Sequence, residues 1–213
     1  MVMRLAERLD VPLRERNTLL VAAGFAPVFP QRRFDDPALA AARRAVDAVL
    51  KAHEPSPALA VDRHWTMLAA NRMVAPLLVG LPADLLVPPV NVMRLSFDPR
   101  GLAPRIVNLG DWSAHLLERL LRQCEATADP VLLALYRELK AMPLPARRGP
   151  PDGDSIVLPF RLRVGDEVLD FLATTMVFGN PVDVTLSEIA VETFFPADER
   201  SAQRLAALAA GVG

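Results

Sequence analysis

Cysteine is almost absent from this chain of 213 residues, and the single one, Cys124, excludes an intramolecular disulfide. A reducing compartment, the cytoplasm, is the expectation. Long apolar runs are missing as well. No stretch of about 18 apolar residues occurs, so no membrane span is expected. The opening MVMRLAERLD carries charges every few positions and does not read as a signal peptide. Nor does either sign of charge dominate: 24 basic residues face 25 acidic ones, for a net charge of −1. The mean field neither draws nor strongly repels nucleic acid, so DNA affinity would need a local patch or a further segment.

The groups that carry most enzyme chemistry are also missing. The three histidines, His53, His64 and His115, show no H-x-x-x-H spacing, and no C-x-x-C pair exists. No metal site is expected. There is no G-x-S-x-G elbow, and Ser113 near His115 reflects helical spacing rather than a triad. No glycine-rich phosphate cradle is present. Asp152-Gly153-Asp154-Ser155 lacks the further ligands and the terminal glutamate of a calcium loop. Asp183, Glu188 and Glu192 fall on one strand with Asp183 pointing outward, which makes no catalytic carboxylate pair. Cys124 sits in an apolar helical stripe and reads as an inert core residue. Neither an enzyme nor a cofactor is expected.

What the chain does have is apolar substance: 52% hydrophobic and 23% charged residues, the profile of a globular domain. Three consecutive runs of β-branched and aromatic residues predict strands at 155–164, 167–179 and 182–195. Pro159 cannot donate to a ladder, which argues for an edge position or a bulge. In the second strand Leu169, Phe171, Ala173, Thr175 and Val177 share a face. The third changes parity between Leu186 and Ile189, which predicts a bulge at Ser187-Glu188. Strands are also predicted at 58–62 and 65–70, joined by a turn at Asp62-Arg63-His64. Trp65, Met67 and Ala69 would share a face, and Asn71 would cap a short helix.

Helices are predicted over 2–9, after Asp10-Val11-Pro12, after Asp36-Pro37, near 90–95, from Asn108 or Asp111, and after Asp129-Pro130, each by periodicity or a cap signal. The strongest buries Trp112, Leu116, Leu117, Leu120, Leu121 and Cys124 and leaves Glu118, Arg119 and Arg122 outside. Residues 143–154 read as a polar loop, and a helix from Ala197 or Asp198 closes the chain. In the first two helices Val2, Leu5, Ala6 and Leu9, then Leu13, Leu20 and Val21, form apolar faces. Two helices of that size cannot build a core alone.

Two features bear on binding. Asn91-x-x-Arg94 is a polar pair in an apolar, proline-rich stretch. It either satisfies loop carbonyls or meets a ligand carboxylate bidentately. Trp112, Leu116, Phe160, Phe171, Met176 and Phe178 form facing apolar sets that make either a filled core or the wall of an apolar pocket. His115 is a core-edge histidine bonded to a backbone carbonyl, or a donor to a ligand head.

The segments LDVPLRERNTLLVAAGFAP, ALAVDRHWTMLAAN, NVMRLSFDPRGLAPRIVNLGDW and VFGNPVDVTLSEIAVETFFPAD occur here in that order. Together they resemble the MmyB-like transcriptional regulators, Xre-type helix-turn-helix proteins with a C-terminal PAS-like ligand-binding domain. The resemblance covers nearly the whole chain. It implies an α+β fold: a PAS-like five-stranded antiparallel sheet with helices packed on one face, preceded by a short helical remnant. Residues 1–26 would be the end of the helix-turn-helix domain, 27–36 a linker and 37–213 the ligand-binding domain. DNA would be contacted only through an upstream helix-turn-helix. A fatty-acid-like ligand would lie between helices and sheet, with Asn91, Arg94 and His115 at its head. Trp112, Leu116, Phe160, Phe171 and Met176 would line its tail. The expected role is effector sensing within a homodimer. A dimerisation module with a filled core is the alternative.

Overall fold

Five strands, β1 (Ala58–Val61), β2 (Met67–Ala70), β3 (Pro159–Val164), β4 (Glu167–Val177) and β5 (Ala190–Pro196), form one antiparallel sheet in the order β2-β1-β5-β4-β3. The computed structural model describes residues 1–148, 158–179, 181 and 183–211. The expected start of the third-last strand at Ser155 and Ile156, the end of the 143–154 loop, and Asn180 and Val182 lie outside the described residues. The helices are α1 (Val2–Arg8), α2 (Leu13–Ala22), α3 (Ala40–Ala52), α4 (Ala75–Leu78), α5 (Val92–Phe97), α6 (Leu109–Thr127), α7 (Pro130–Lys140), α8 (Val184–Ser187) and α9 (Glu199–Gly211). The five-stranded antiparallel sheet and α+β class expected of a PAS-like fold are therefore present.

Alternation in β1 shows how the sheet is used. Leu59 and Val61 join the main core with Trp65, Met73, Trp112, Leu116, Phe160 and Phe171. Ala58 and Ala60 instead meet Val46 and Leu50 of α3, together with Ile189 and Val191. Most helices gather on the first face, as expected, but α3 covers the second. A leucine or valine taken fully out of water in this way contributes about 1.5–3 kcal/mol.

Two local expectations change for physical reasons. The parity shift before β5 is no bulge: Val184–Ser187 is a helical turn, and the strand begins only at Ala190. Asp183 does not point outward. It is buried, accepts from the Thr185 amide as an N-cap, and pairs with Arg32 at 2.8 Å. Once the turn has reset the register, Ile189 and Val191 face α3, and the apolar face of α3 is what makes that orientation favourable. The sheet's irregularity lies instead in β2. Ala60 pairs with Ala69, but Val61 pairs with Met67, so Met67 follows Val61 into the main core while Ala69 stays with Ala60. Trp65, Met67 and Ala69 do not share one face.

Pro159 opens the edge strand β3, where its missing N–H interrupts no ladder. The outer side of that strand is not left bare. The Val107 amide donates to the Arg161 carbonyl at 2.9 Å, and the Asn108 side chain donates to the Pro159 carbonyl and accepts from the Arg161 amide.

The first two helices dock mainly through charge and hydrogen bonds. Leu13, Leu20 and Ala6 are buried, but Leu5, Leu9 and Val21 are exposed, against expectation. Asp10 is not a cap. It has a positive φ, and Pro12 precedes α2 without a side-chain cap. Gly24 does end α2, in the left-handed conformation glycine favours. Arg14 of α2 grips Glu188 with Nε and Nη2, at 2.6 and 2.8 Å. Glu188 also accepts from Arg63 at 3.4 Å, Arg63 pairs with Asp129, and Asp129 accepts from His64 Nε2 at 2.9 Å and caps α7. Asn17 folds the following segment back on α2, donating to the Phe29 carbonyl and accepting from the Val28 and Phe29 amides.

Candidate functional site

Between the sheet and the helices α4 to α6 lies a cavity of about 320 Å³. Its floor is Leu59, Phe160, Leu162, Ala173 and Phe194, its roof Val74, Leu77, Val92, Met93 and Leu95. The volume falls at the small end of the range for small-molecule sites, and the lining is overwhelmingly apolar with few polar groups, as such sites are. Trp112 and Phe160 face each other with centroids 4.7 Å apart, and Phe160 in turn touches Phe194 at 5.4 Å.

Helix α6 supplies one wall because Trp112, His115, Leu116 and Arg119 recur at helical spacing on one side of it. Of the sequence-derived candidates, Trp112, His115, Leu116 and Phe160 line the cavity. Phe171 lies behind Phe160, fully buried, with ring centroids 5.9 Å apart, and supports the wall without forming it. Met176 is exposed and does not line the cavity, because alternation along β4 brings Ala173 and Thr175 to the cavity and turns Met176 away. Asn91 and Arg94 are outside it too. Asn91 caps α5 and donates to the His64 carbonyl at 2.8 Å, and Arg94 forms a bidentate, largely exposed pair with Glu138 of α7.

The polar end of the cavity is built from residues that were not among the sequence-derived candidates. Arg119, expected outside, turns inward and forms a bidentate pair with Glu192 of β5: Nη1 to Oε2 at 3.0 Å and Nη2 to Oε1 at 2.7 Å. Thr175 Oγ1 donates to the same carboxylate at 3.1 Å. Leu59, Glu192 and Thr175 sit opposite one another across β1, β5 and β4, so all three reach one face of the sheet. The guanidinium also lies over Trp65, 4.5 Å from the ring centroid, and the Trp65 Nε1–H donates to Gln123. The available signal was spacing: Arg119 stands three residues beyond Leu116 and seven beyond Trp112, at the rim of the apolar stripe. Glu192 became legible only with the correct start of β5.

His115 stacks on Trp112 at 5.8 Å, in place of the expected bond to a backbone carbonyl. Burial lowers its pKa most, with Arg119 and Arg122 acting in the same direction. Burial, followed by Arg63, likewise lowers that of His64. Since an ionised Asp129 can only accept, His64 bonds to it as the Nε2–H donor. Both imidazoles bind a proton less readily folded than unfolded. Their contribution to stability is complete above the ordinary histidine pKa of about 6.5 and is lost as pH falls below it. Melting temperature is expected to drop between about pH 7.5 and about pH 5.5. The drop will be smaller in His115→Gln, and an unchanged drop in that variant would assign the titration to other groups.

Among the described residues no three His, Cys, Asp or Glu side chains gather to hold a metal ion, and no helix is long and apolar enough to cross a membrane. Residues 42–208 match a family model described as the MmyB-like transcription regulator ligand binding domain. No curated protein matches the chain.

Proposed function

This chain belongs to the family of MmyB-like transcription-regulator ligand-binding domains, and from that premise we propose that its cavity senses a fatty-acid-like effector, an apolar chain with one polar end. The supporting observation is the apolar chamber between sheet and helices α4 to α6, with few hydrogen-bonding groups on its wall. In this reading the domain binds and does not catalyse. The strongest polar groups on the wall, Arg119 and Glu192, are engaged with each other rather than poised against a nucleophile.

Residues 1–26 are proposed as the end of a helix-turn-helix domain and 27–36 as its linker, in a cytoplasmic regulator that reaches DNA through that domain. Ligand binding would shift the balance between two arrangements of the helices on the sheet and hence the presentation of the DNA-binding units. A homodimer is part of the proposal. Leu172, Met176 and Phe195 are exposed on the face of β4 and β5 turned away from the cavity, and light scattering would measure the resulting mass.

The test uses the two tryptophans of the chain, Trp65 and Trp112, which both line the cavity. Protein should be denatured, extracted with solvent and examined for co-purified lipid by mass spectrometry, then refolded and titrated with chains of medium length. The expected result is saturable quenching of tryptophan fluorescence with matching heat in calorimetry. No lipid in the extract and no binding to stripped protein would favour the alternative, a dimerisation module with a filled core.

A further inference from the structure

Given an effector-sensing cavity, on which this step rests, we infer that its polar end selects an uncharged head, such as an ester, amide or alcohol, over a free carboxylate, and that Glu192 is the residue that sets this preference. Among the described residues that line the cavity, Arg119 is the only lysine or arginine. Its two terminal nitrogens are already matched to the two oxygens of Glu192, and one face of its guanidinium rests on Trp65. The carboxylate is in turn fixed by Thr175, and its side chain is only 8% exposed.

The cavity thus carries its own counterion. A ligand carboxylate entering this end would lose its water and find the cation already compensated, with the negative charge of Glu192 beside it. To bind Arg119 it would have to displace Glu192, leaving that carboxylate buried without a cation. A ligand ammonium meets the mirror-image problem, since the partner it would seek is held by Arg119. An uncharged head avoids both costs. The remaining polar groups on the wall suit it. Ser96 donates its hydroxyl proton to the Val92 carbonyl, which leaves the oxygen free to accept. His115 presents a neutral ring near pH 7, because burial and the neighbouring arginines disfavour its charged form. Specificity of this kind comes from a repulsive element built into the site as much as from attraction.

The test is a series of ten-carbon ligands, decanoate, decylamine, decanol and methyl decanoate, titrated into lipid-stripped full-length chain near pH 7.5 by tryptophan fluorescence and calorimetry. Decanol and methyl decanoate are expected to bind at least tenfold more tightly than decanoate or decylamine. Glu192→Gln keeps the side-chain shape and frees the charge of Arg119. In that variant, shown folded by its thermal melt, decanoate is expected to gain at least tenfold while decanol changes little. Equal or tighter binding of decanoate by the unaltered chain would overturn the inference and leave the effector-sensing reading standing. So would a Glu192→Gln variant in which all four ligands shift alike. Failure of every ligand to bind would overturn that reading, and this inference with it.

Discussion

Arg119→Met is expected to destabilise the domain by about 3–5 kcal/mol, because removing one partner of a buried ion pair strands the other. Glu192 is 6% exposed and would retain only the Thr175 hydroxyl. The variant also loses the guanidinium packed on Trp65. The double variant Arg119→Met, Glu192→Leu should recover most of the loss, since paired apolar groups of similar size can replace a buried ion pair at little net cost. Urea unfolding followed by tryptophan fluorescence measures all three chains. A single variant within about 1 kcal/mol of the parent would show that water reaches and solvates Glu192.

Asn71→Ala is the second large effect, again about 3 kcal/mol or more. Its buried side chain closes four hydrogen bonds to four backbone groups. Oδ1 accepts from the amides of Ala58 and Met73, and Nδ2 donates to the carbonyls of Leu50 and Ser56. One amide thereby ties the end of α3, the start of β1 and the approach to α4 at one point. Alanine would leave all four groups without that partner in a region closed to water, where each unsatisfied group costs about 1–3 kcal/mol before relaxation. Asn71→Asp should cost at least as much near pH 7, because its carboxylate keeps both accepted bonds but sets an unpaired buried charge against the Leu50 and Ser56 carbonyls. Hydrogen exchange at Ala58 and Met73 provides a local readout, and protection unchanged in the alanine variant would count against this account.

Much of the architecture was legible because local and tertiary signals agree there. The caps at Asp36 and Asp129 are where the cap chemistry of the sequence puts them. The apolar stripe of α6 and the alternation of β3 and β4 were plain from periodicity. The misses have a common origin in groups whose orientation depends on a distant partner. Arg119 has the residue type of a solvated position, and only Glu192, 73 residues away, makes its inward orientation favourable. Val184–Ser187 has strand-like composition, but the buried Asp183, held by Arg32 and capping Thr185, winds it into a helical turn. Asn91 and Arg94 drew notice as polar residues in an apolar stretch, yet their work is to cap α5 and join it to α7. Polarity in a sequence marks an interaction without saying whether the partner is a ligand or another turn of the same chain.

The hydrogen-bonded and ionic side chains that run from Arg14 through Glu188, Arg63 and Asp129 to His64 give the chain a kind of mechanical gearing. Its first member belongs to α2. Its middle member sits in the turn next to Trp65, on the cavity wall, and its carboxylate at the far end caps α7. Each carboxylate is shared between two cations or donors, so neither Glu188 nor Asp129 can follow one partner without loosening the other. A displacement of the 62–65 turn would therefore strain the Arg63–Glu188 contact and, through Glu188, the anchor of α2. The Arg14–Glu188 pair is the link by which α2 is tied to that turn.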